Sequence, residues 1–138
     1  MPDRDYYLKD DPKSVELRQK YVAHVQRMFE LAGRNPETAK AYAATVMRIE
    51  TELAKGSLDN VSRRDPEKIY HPLKKADVSA LAPAFQWARY FAGTHAPDFQ
   101  TIVVSWPEFL QAIGRQIGDT SLEDWKVYLT WRSEEHTS

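Results

Sequence analysis

Apolar residues recur at helical spacing along most of the chain, and Pro and Gly mark where the helices begin and end. The first apolar stripe follows Asp11-Pro12, a capping residue and a proline that is tolerated at the first helical position, and it stops at Gly33. The pattern predicts an amphipathic helix with one buried face. Its apolar positions are Val15, Tyr21, Val22, Val25, Met28, Phe29 and Ala32.

A second apolar stripe begins at Asn35-Pro36 and ends at Gly56. Because the connection between the two stripes is short, we expect two antiparallel helices that pack as a hairpin. Two such helices cannot bury both apolar faces alone, so the hairpin requires a further layer, either from later helices or from polypeptide outside this chain. The apolar positions of the second stripe are Ala39, Tyr42, Ala43, Val46, Ile49 and Leu53.

Shorter elements follow residues 57–75, a polar segment rich in charge. Helices are expected to begin near Asp77, at Pro83 and at Pro107, and a last helix is expected to open at a capping box that starts at Thr120. The apolar side chains of this last helix are expected to point inward, namely Leu122, Trp125, Tyr128 and Leu129.

Thr101–Val104 is the only good strand candidate, because it is short and β-branched. A lone strand cannot satisfy its backbone hydrogen bonds, so it must pair with another segment, which the sequence does not identify. His71 precedes Pro72 and is expected to be extended at the end of a turn. The expected fold class is mainly α: a helical hairpin plus further short helices, with at most one short β-strand, as part of a larger domain.

The composition is ordinary for a globular protein, since 42% of the 138 residues are apolar and 28% are charged. Lys and Arg number 19 against 20 Asp and Glu, which is not the basic excess that a phosphate-binding surface needs. No nucleic-acid partner is therefore expected. The absence of cysteine excludes disulfides and thiolate zinc sites, and no apolar run is long enough to span a membrane.

The residue types that carry hydrolytic chemistry are present, but not at the spacings that such chemistry needs. No histidine has another histidine within four residues, as a helical zinc motif requires, and no nucleophile elbow or phosphate-binding Gly-rich loop is present. Glu50 lies near the second stripe, where a structural salt bridge is favoured over catalysis. We expect no catalytic residue, no cofactor-binding residue and no metal ligand in this chain. The four histidines are His24, His71, His95 and His136.

Several short segments of the chain match motifs of one protein family in the same order. No single segment is decisive, but the series as a whole is specific. Pro2-Asp3-Arg4-Asp5-Tyr6-Tyr7-Leu8 is similar to a Leu-Pro-x-Arg-x-Tyr-Tyr motif, and residues 70–73 are similar to a Tyr-Asn-Pro-Met turn, with His71 and Leu73 as departures. Together the segments resemble the neprilysin and endothelin-converting-enzyme family of zinc metallopeptidases over nearly all of residues 1–131. The other matching segments are residues 21–25, 31–33, 49–55, 83–87 and 125–131.

This resemblance implies that residues 1–131 are a partial N-terminal helical domain of a neprilysin-like peptidase. That domain is not catalytic, and it covers the active site and restricts access to peptides. The implied partners are the catalytic domain of the same parent chain and, in the full-length enzyme, peptide substrates. Zinc is implied for the full-length parent only, because the family's H-E-x-x-H motif and its third ligand lie downstream. An exported parent, periplasmic or extracellular, is also implied; its signal sequence would lie upstream of Met1.

Residues 132–138, Arg-Ser-Glu-Glu-His-Thr-Ser, contain no apolar residue and interrupt the pattern of the last helix. They resemble a sequencing adapter read as protein and are predicted to be a non-native tail. Two other interpretations of the whole chain stay open. A stand-alone helical interaction module without enzymatic activity predicts a covered core and a sharp thermal transition, and an independent hydrolase predicts peptide cleavage that a chelator abolishes.

Overall fold

The computed structural model describes Met1 and residues 3–134, with the exception of the Glu134 side chain. The chain is mainly helical, which confirms the expected fold class, and it divides into two compact units. Unit 1 holds Met1–Lys55 and the segment from Thr120 onward, and unit 2 holds Gly56–Asp119. The helices are α1 Asp5–Leu8, α2 Pro12–Leu31, α3 Pro36–Gly56, α4 Lys75–Leu81, α5 Trp87–Gly93, α6 Pro107–Asp119 and α7 Leu122–Glu134; the strands are β1 His71–Lys74 and β2 Thr101–Val104, and a 3₁₀ turn spans Ser62–Arg64.

Helices α2 and α3 form where the caps and stripes predict them. The Asp11 carboxylate accepts a hydrogen bond from the Ser14 backbone N–H at 3.1 Å, and Asn35 accepts one from the Thr38 backbone N–H at 2.8 Å. Between the helices, Gly33 has a φ of 86°, a left-handed conformation that glycine adopts without steric cost. Local sequence therefore fixes both the ends of the hairpin helices and the turn between them.

The core of unit 1 is the seam between α2 and α3, closed by one side chain from α7. Val25 and Phe29 of α2 meet Ala43 and Val46 of α3, and Trp131 of α7 packs against them with only 2% of its surface exposed. Ala39 and Ala43 of α3 are fully buried at this seam, and the rings of Phe29 and Trp131 fill the space beside them. The further layer that the hairpin requires is thus supplied by α7.

Helix α7 has apolar residues on two faces, and the expected set of inward side chains is partly wrong. Leu122 is 69% exposed and Leu129 is 60% exposed, whereas Trp131 is buried, with Val127 and Tyr128 packed beside it. The helix also begins one residue later than expected, and the Ser121 hydroxyl accepts a capping hydrogen bond from the Asp124 backbone N–H at 3.1 Å. The inward face is decided by contact with the hairpin, which the sequence of α7 alone does not contain.

Unit 2 contains the strand partner that the sequence did not identify. β1 pairs antiparallel with β2, with His71 opposite Val104 and Lys74 opposite Thr101. The expectation of at most one strand is therefore wrong, and the extended conformation expected at His71 is that of the first residue of β1. The proline at position 72 hides this strand in the sequence, because a proline lacks the N–H that a strand normally donates. A two-stranded pairing tolerates it where the missing N–H faces away from the partner.

The short helices of unit 2 also begin at other residues than expected. Helix α4 starts at Lys75, two residues before Asp77, and α5 starts at Trp87 instead of Pro83. The backbone at Phe85 turns back to the Ala82 carbonyl with a hydrogen bond of 3.0 Å, and the Trp87 indole N–H bonds the same carbonyl at 3.0 Å. The Ala82 carbonyl thus accepts two hydrogen bonds, and these hold a turn where Pro83 predicts the start of a helix.

Helices α4 and α6 pack at very short range in unit 2. A Cβ added to Gly114 of α6 would lie 2.8 Å from Cα and 2.9 Å from Cβ of Ala82, distances at which atoms overlap. Gly114 is itself buried. The close approach therefore depends on the missing side chain at this position. Among the described residues, none of the helices combines the length and the apolar character that a membrane crossing requires.

Candidate functional site

The histidines do not assemble into a metal site. His24 is on the exposed face of α2, 5.9 Å from the Trp131 ring centre, and His71 is in β1 with its Nδ1 3.2 Å from the Val104 carbonyl oxygen. His95 lies after α5 with a φ of 51°. In the part of the chain that the structure describes, no three His, Asp or Glu side chains lie close enough to hold a metal ion. His136 lies outside the described residues, and the expected absence of site residues stays a prediction.

Glu50 of unit 1 is a buried carboxylate, with 8% of its surface exposed. Its Oε2 accepts hydrogen bonds from the hydroxyls of Tyr7, at 2.7 Å, and Tyr21, at 2.8 Å. Tyr21 in turn accepts a hydrogen bond of 3.3 Å from the Trp131 indole N–H. Among the described residues the Glu50 carboxylate forms no salt bridge, and two phenol hydroxyls stabilise it instead.

This buried network joins four helices, since its residues come from α1, α2, α3 and α7. A carboxylate enclosed by aromatic side chains has little room for a substrate. The arrangement fits a structural role, in which the two hydroxyls satisfy a charge that the helix packing has removed from water. Sequence spacing placed Glu50 near the apolar stripe of α3, but it gave no signal that Tyr7 and Tyr21, which lie far away along the chain, are its partners.

The network predicts an alkaline limit to the stability of unit 1. Burial first, and then the hydrogen bond to Glu50, raise the pKa of Tyr7 well above its ordinary value of 10.0. The folded state therefore holds this proton more tightly than the unfolded state, so the contribution to stability is complete below pH 10 and falls as the pH rises above it. We expect the free energy of unfolding to decrease less steeply above pH 10 in Tyr7→Phe than in the wild type. Denaturant titrations between pH 8 and about 11, a window that brackets the ordinary phenol pKa, would measure this.

Tyr70→Phe is the matched control, because Tyr70 is an exposed tyrosine in unit 2. The same steepness above pH 10 in Tyr7→Phe and in the wild type would contradict the assignment.

Unit 2 carries an open apolar groove of about 400 Å³. A cluster of aromatic rings forms one side of it: the ring centres of Phe85 and Trp87 are 4.7 Å apart, and Trp87 stacks on Phe91 at 5.7 Å. Strand β2 forms another side, and Leu110 and Ile113 of α6 complete the lining. The groove is assembled from segments that are distant in sequence, so no motif predicts it. Its lining is almost wholly apolar, which suits the burial of hydrophobic side chains rather than polar chemistry.

The family of the chain follows from comparison with known proteins. The family model for the N-terminal region of Peptidase family M13 matches residues 1–138. Endothelin-converting enzyme 1 of Homo sapiens is 29% identical over all of this chain and 18% of its own length. Neprilysin-3 of Drosophila melanogaster is 27% identical over 96% of this chain and 18% of its own length.

Solved structures agree with the sequence comparison. The zinc metalloprotease Zmp1 of Mycobacterium tuberculosis in its open state superposes with a TM-score of 0.82 at 26% identity, over 96% of this chain and 21% of that chain. The same protease in complex with an inhibitor gives a TM-score of 0.82 over 96% of this chain and 20% of that chain. The chain thus spans about a fifth of the length of these relatives. It belongs to the zinc metallopeptidases of Peptidase family M13, as a piece of their N-terminal region.

Proposed function

We propose that this chain is a non-catalytic part of a zinc metalloendopeptidase, in which it forms part of the helical wall that covers the active site. The match of the whole chain to the N-terminal region of an M13 peptidase, over only a fifth of the relatives' length, carries this proposal. In the parent enzyme the wall would admit peptides and exclude large folded proteins. The chain would contribute shape and packing rather than chemistry.

Zinc chemistry would come from residues of the parent outside this chain. A catalytic zinc ion requires three protein ligands and an open position for water. The described residues do not fit this requirement, because His24, His71 and His95 lie in separate elements and no three potential ligands come together. No step of peptide hydrolysis is therefore assigned to a side chain of this chain.

Exposed apolar residues favour this proposal over a stand-alone interaction module. Leu122 and Leu129 of α7 are exposed in unit 1, and Tyr90 and Val103 are exposed beside the groove of unit 2. A helix with apolar residues on two faces is normally enclosed by protein on both sides. These surfaces are consistent with burial against further polypeptide of the parent.

The test begins with the gene on both sides of the segment that encodes this chain. We expect the longer open reading frame to contain an H-E-x-x-H motif downstream. The 138-residue chain alone is expected to bind no stoichiometric zinc, measured by atomic emission, and to leave a fluorogenic peptide uncleaved. The longer protein is expected to cleave that peptide and to lose the activity when 1,10-phenanthroline is added.

The covering role is tested with substrates of different size. The longer protein is expected to cleave short peptides and to leave folded proteins intact. Equal cleavage of both classes would contradict the covering role, and chelator-sensitive cleavage by the 138-residue chain alone would contradict the proposal as a whole.

A further inference from the structure

Strand β2 of unit 2 has one edge that faces away from β1. The Lys75 backbone N–H donates a hydrogen bond to the Gln100 carbonyl at 3.0 Å, so Lys75 and Gln100 form a hydrogen-bonded pair. Along an antiparallel ladder, hydrogen-bonded pairs alternate with pairs that share no hydrogen bond. Pro72, which has no N–H, then falls opposite Val103 in a pair that needs no hydrogen bond. By this alternation the N–H and C=O groups of Thr101 and Val103 point away from β1.

Those outward groups form an open strand edge. No hydrogen bond joins the backbone of Thr101 or Val103 to another of the residues that the structure describes. Val103 itself is 50% exposed. Native proteins seldom leave an apolar strand edge open, because such an edge pairs readily with another chain.

The apolar groove lies against the same strand. Ile102, Val103 and Val104 of β2 line it together with the aromatic cluster and α6. An extended segment that adds to a sheet edge points every second side chain to one face of the sheet. A segment paired with β2 would therefore satisfy the outward groups of Thr101 and Val103 and would place apolar side chains in the groove.

We propose that, in the parent peptidase, a β-strand from polypeptide outside this chain pairs with the free edge of β2 and fills the groove. This inference rests on the proposed function. The relatives are about five times as long as the chain, so a parent of their size contains ample polypeptide to supply the strand. The lining of the groove is almost wholly apolar. This favours a permanently buried segment of the parent polypeptide over a separate partner that dissociates.

Backbone hydrogen exchange, resolved by residue with NMR, tests this pairing. In the isolated chain the Thr101 and Val103 amides are expected to exchange rapidly, whereas in the parent enzyme they are expected to slow by about 100-fold or more, as amides of paired strands do. The Ile102 and Val104 amides, which face β1, serve as internal references and are expected to be protected in both proteins.

Two variants at one position separate the hydrogen bond from the side chain. Val103→Pro removes the outward N–H without breaking the bonds to β1, and Val103→Ala keeps that N–H while it shortens the apolar side chain. Val103→Pro is expected to shift the melting temperature of the parent downward, with a much smaller shift in the isolated chain. Val103→Ala is expected to lower the melting temperature of the parent less than Val103→Pro does.

Three results would overturn the proposal. The first is rapid exchange of both amides in the parent. The second is protection in the isolated chain that rises with its concentration, which would place a second copy on the edge. The third is protection of the parent that requires an added peptide, which would make the groove a substrate site. Each of these three results can be told apart from failure of the proposed function. In that case the parent would have no chelator-sensitive peptidase activity.

Discussion

Replacement of Trp131 by Ala is expected to lower the free energy of unfolding of unit 1 by about 3–5 kcal/mol. Trp131 is among the largest fully buried side chains of the chain, and it is the α7 residue that belongs to the hairpin core. The substitution leaves a cavity between α7 and the hairpin, and it removes the indole N–H that donates a hydrogen bond to the Tyr21 hydroxyl. Since small domains are stable by only about 5–15 kcal/mol, this loss removes a large share of the total.

Leu129→Ala is the matched control for Trp131→Ala, since Leu129 lies in the same helix and is 60% exposed. Its effect is expected to stay within about 0.5 kcal/mol, as is usual for surface positions. Urea unfolding of the three proteins, followed by circular dichroism, measures the differences. Equal losses in the two variants would mean that α7 does not pack against the hairpin through Trp131.

Replacement of Gly114 by Val is expected to destabilise unit 2 by about 1–3 kcal/mol, because the added atoms overlap the backbone at Ala82, directly after α4. The nearest atom is Cα, so no flexible side chain can move aside, and the two helices must separate. Faster hydrogen exchange of the α4 and α6 amides, together with a lower urea midpoint, would report this separation.

Gly118→Val separates the effect of overlap from the effect of a branched residue in a helix. Gly118 lies in the same helix, and an added Cβ would have no atom within 4 Å. Because glycine is the poorer helix former, this control is expected to be neutral or to stabilise by a few tenths of a kcal/mol. Destabilisation of similar size at both positions would contradict the close packing of α4 on α6.

The long helices were predictable because their information is local. Asp11-Pro12 and Asn35-Pro36 set the starts of α2 and α3, Gly33 sets the turn, and the helical spacing of apolar residues identifies the buried faces. Each of these signals acts within a few residues of the element that it determines. The mainly helical class and the family resemblance therefore follow from the amino-acid sequence alone.

The parts that sequence reasoning missed depend on contacts between distant residues. β1 is a strand only because β2 pairs with it, and the start of α5 depends on the Ala82 carbonyl. Glu50 receives its hydrogen bonds from α1 and α2, so its partners could not be read from α3 alone. The groove of unit 2 has the same origin, because its walls come from separate segments.

Unit 1 is discontinuous in sequence, and this has a consequence for synthesis on the ribosome. The α2–α3 hairpin is translated before residues 56–119, whereas Trp131, which closes its core, is translated after them. At the usual 5–20 residues per second, the apolar seam of the nascent hairpin waits about 4–15 s for its last side chain. Unit 2 is continuous in sequence, so all of its residues are translated before unit 1 is complete. The order of translation therefore favours unit 2 as the first to fold and exposes the hairpin to chaperones in the meantime.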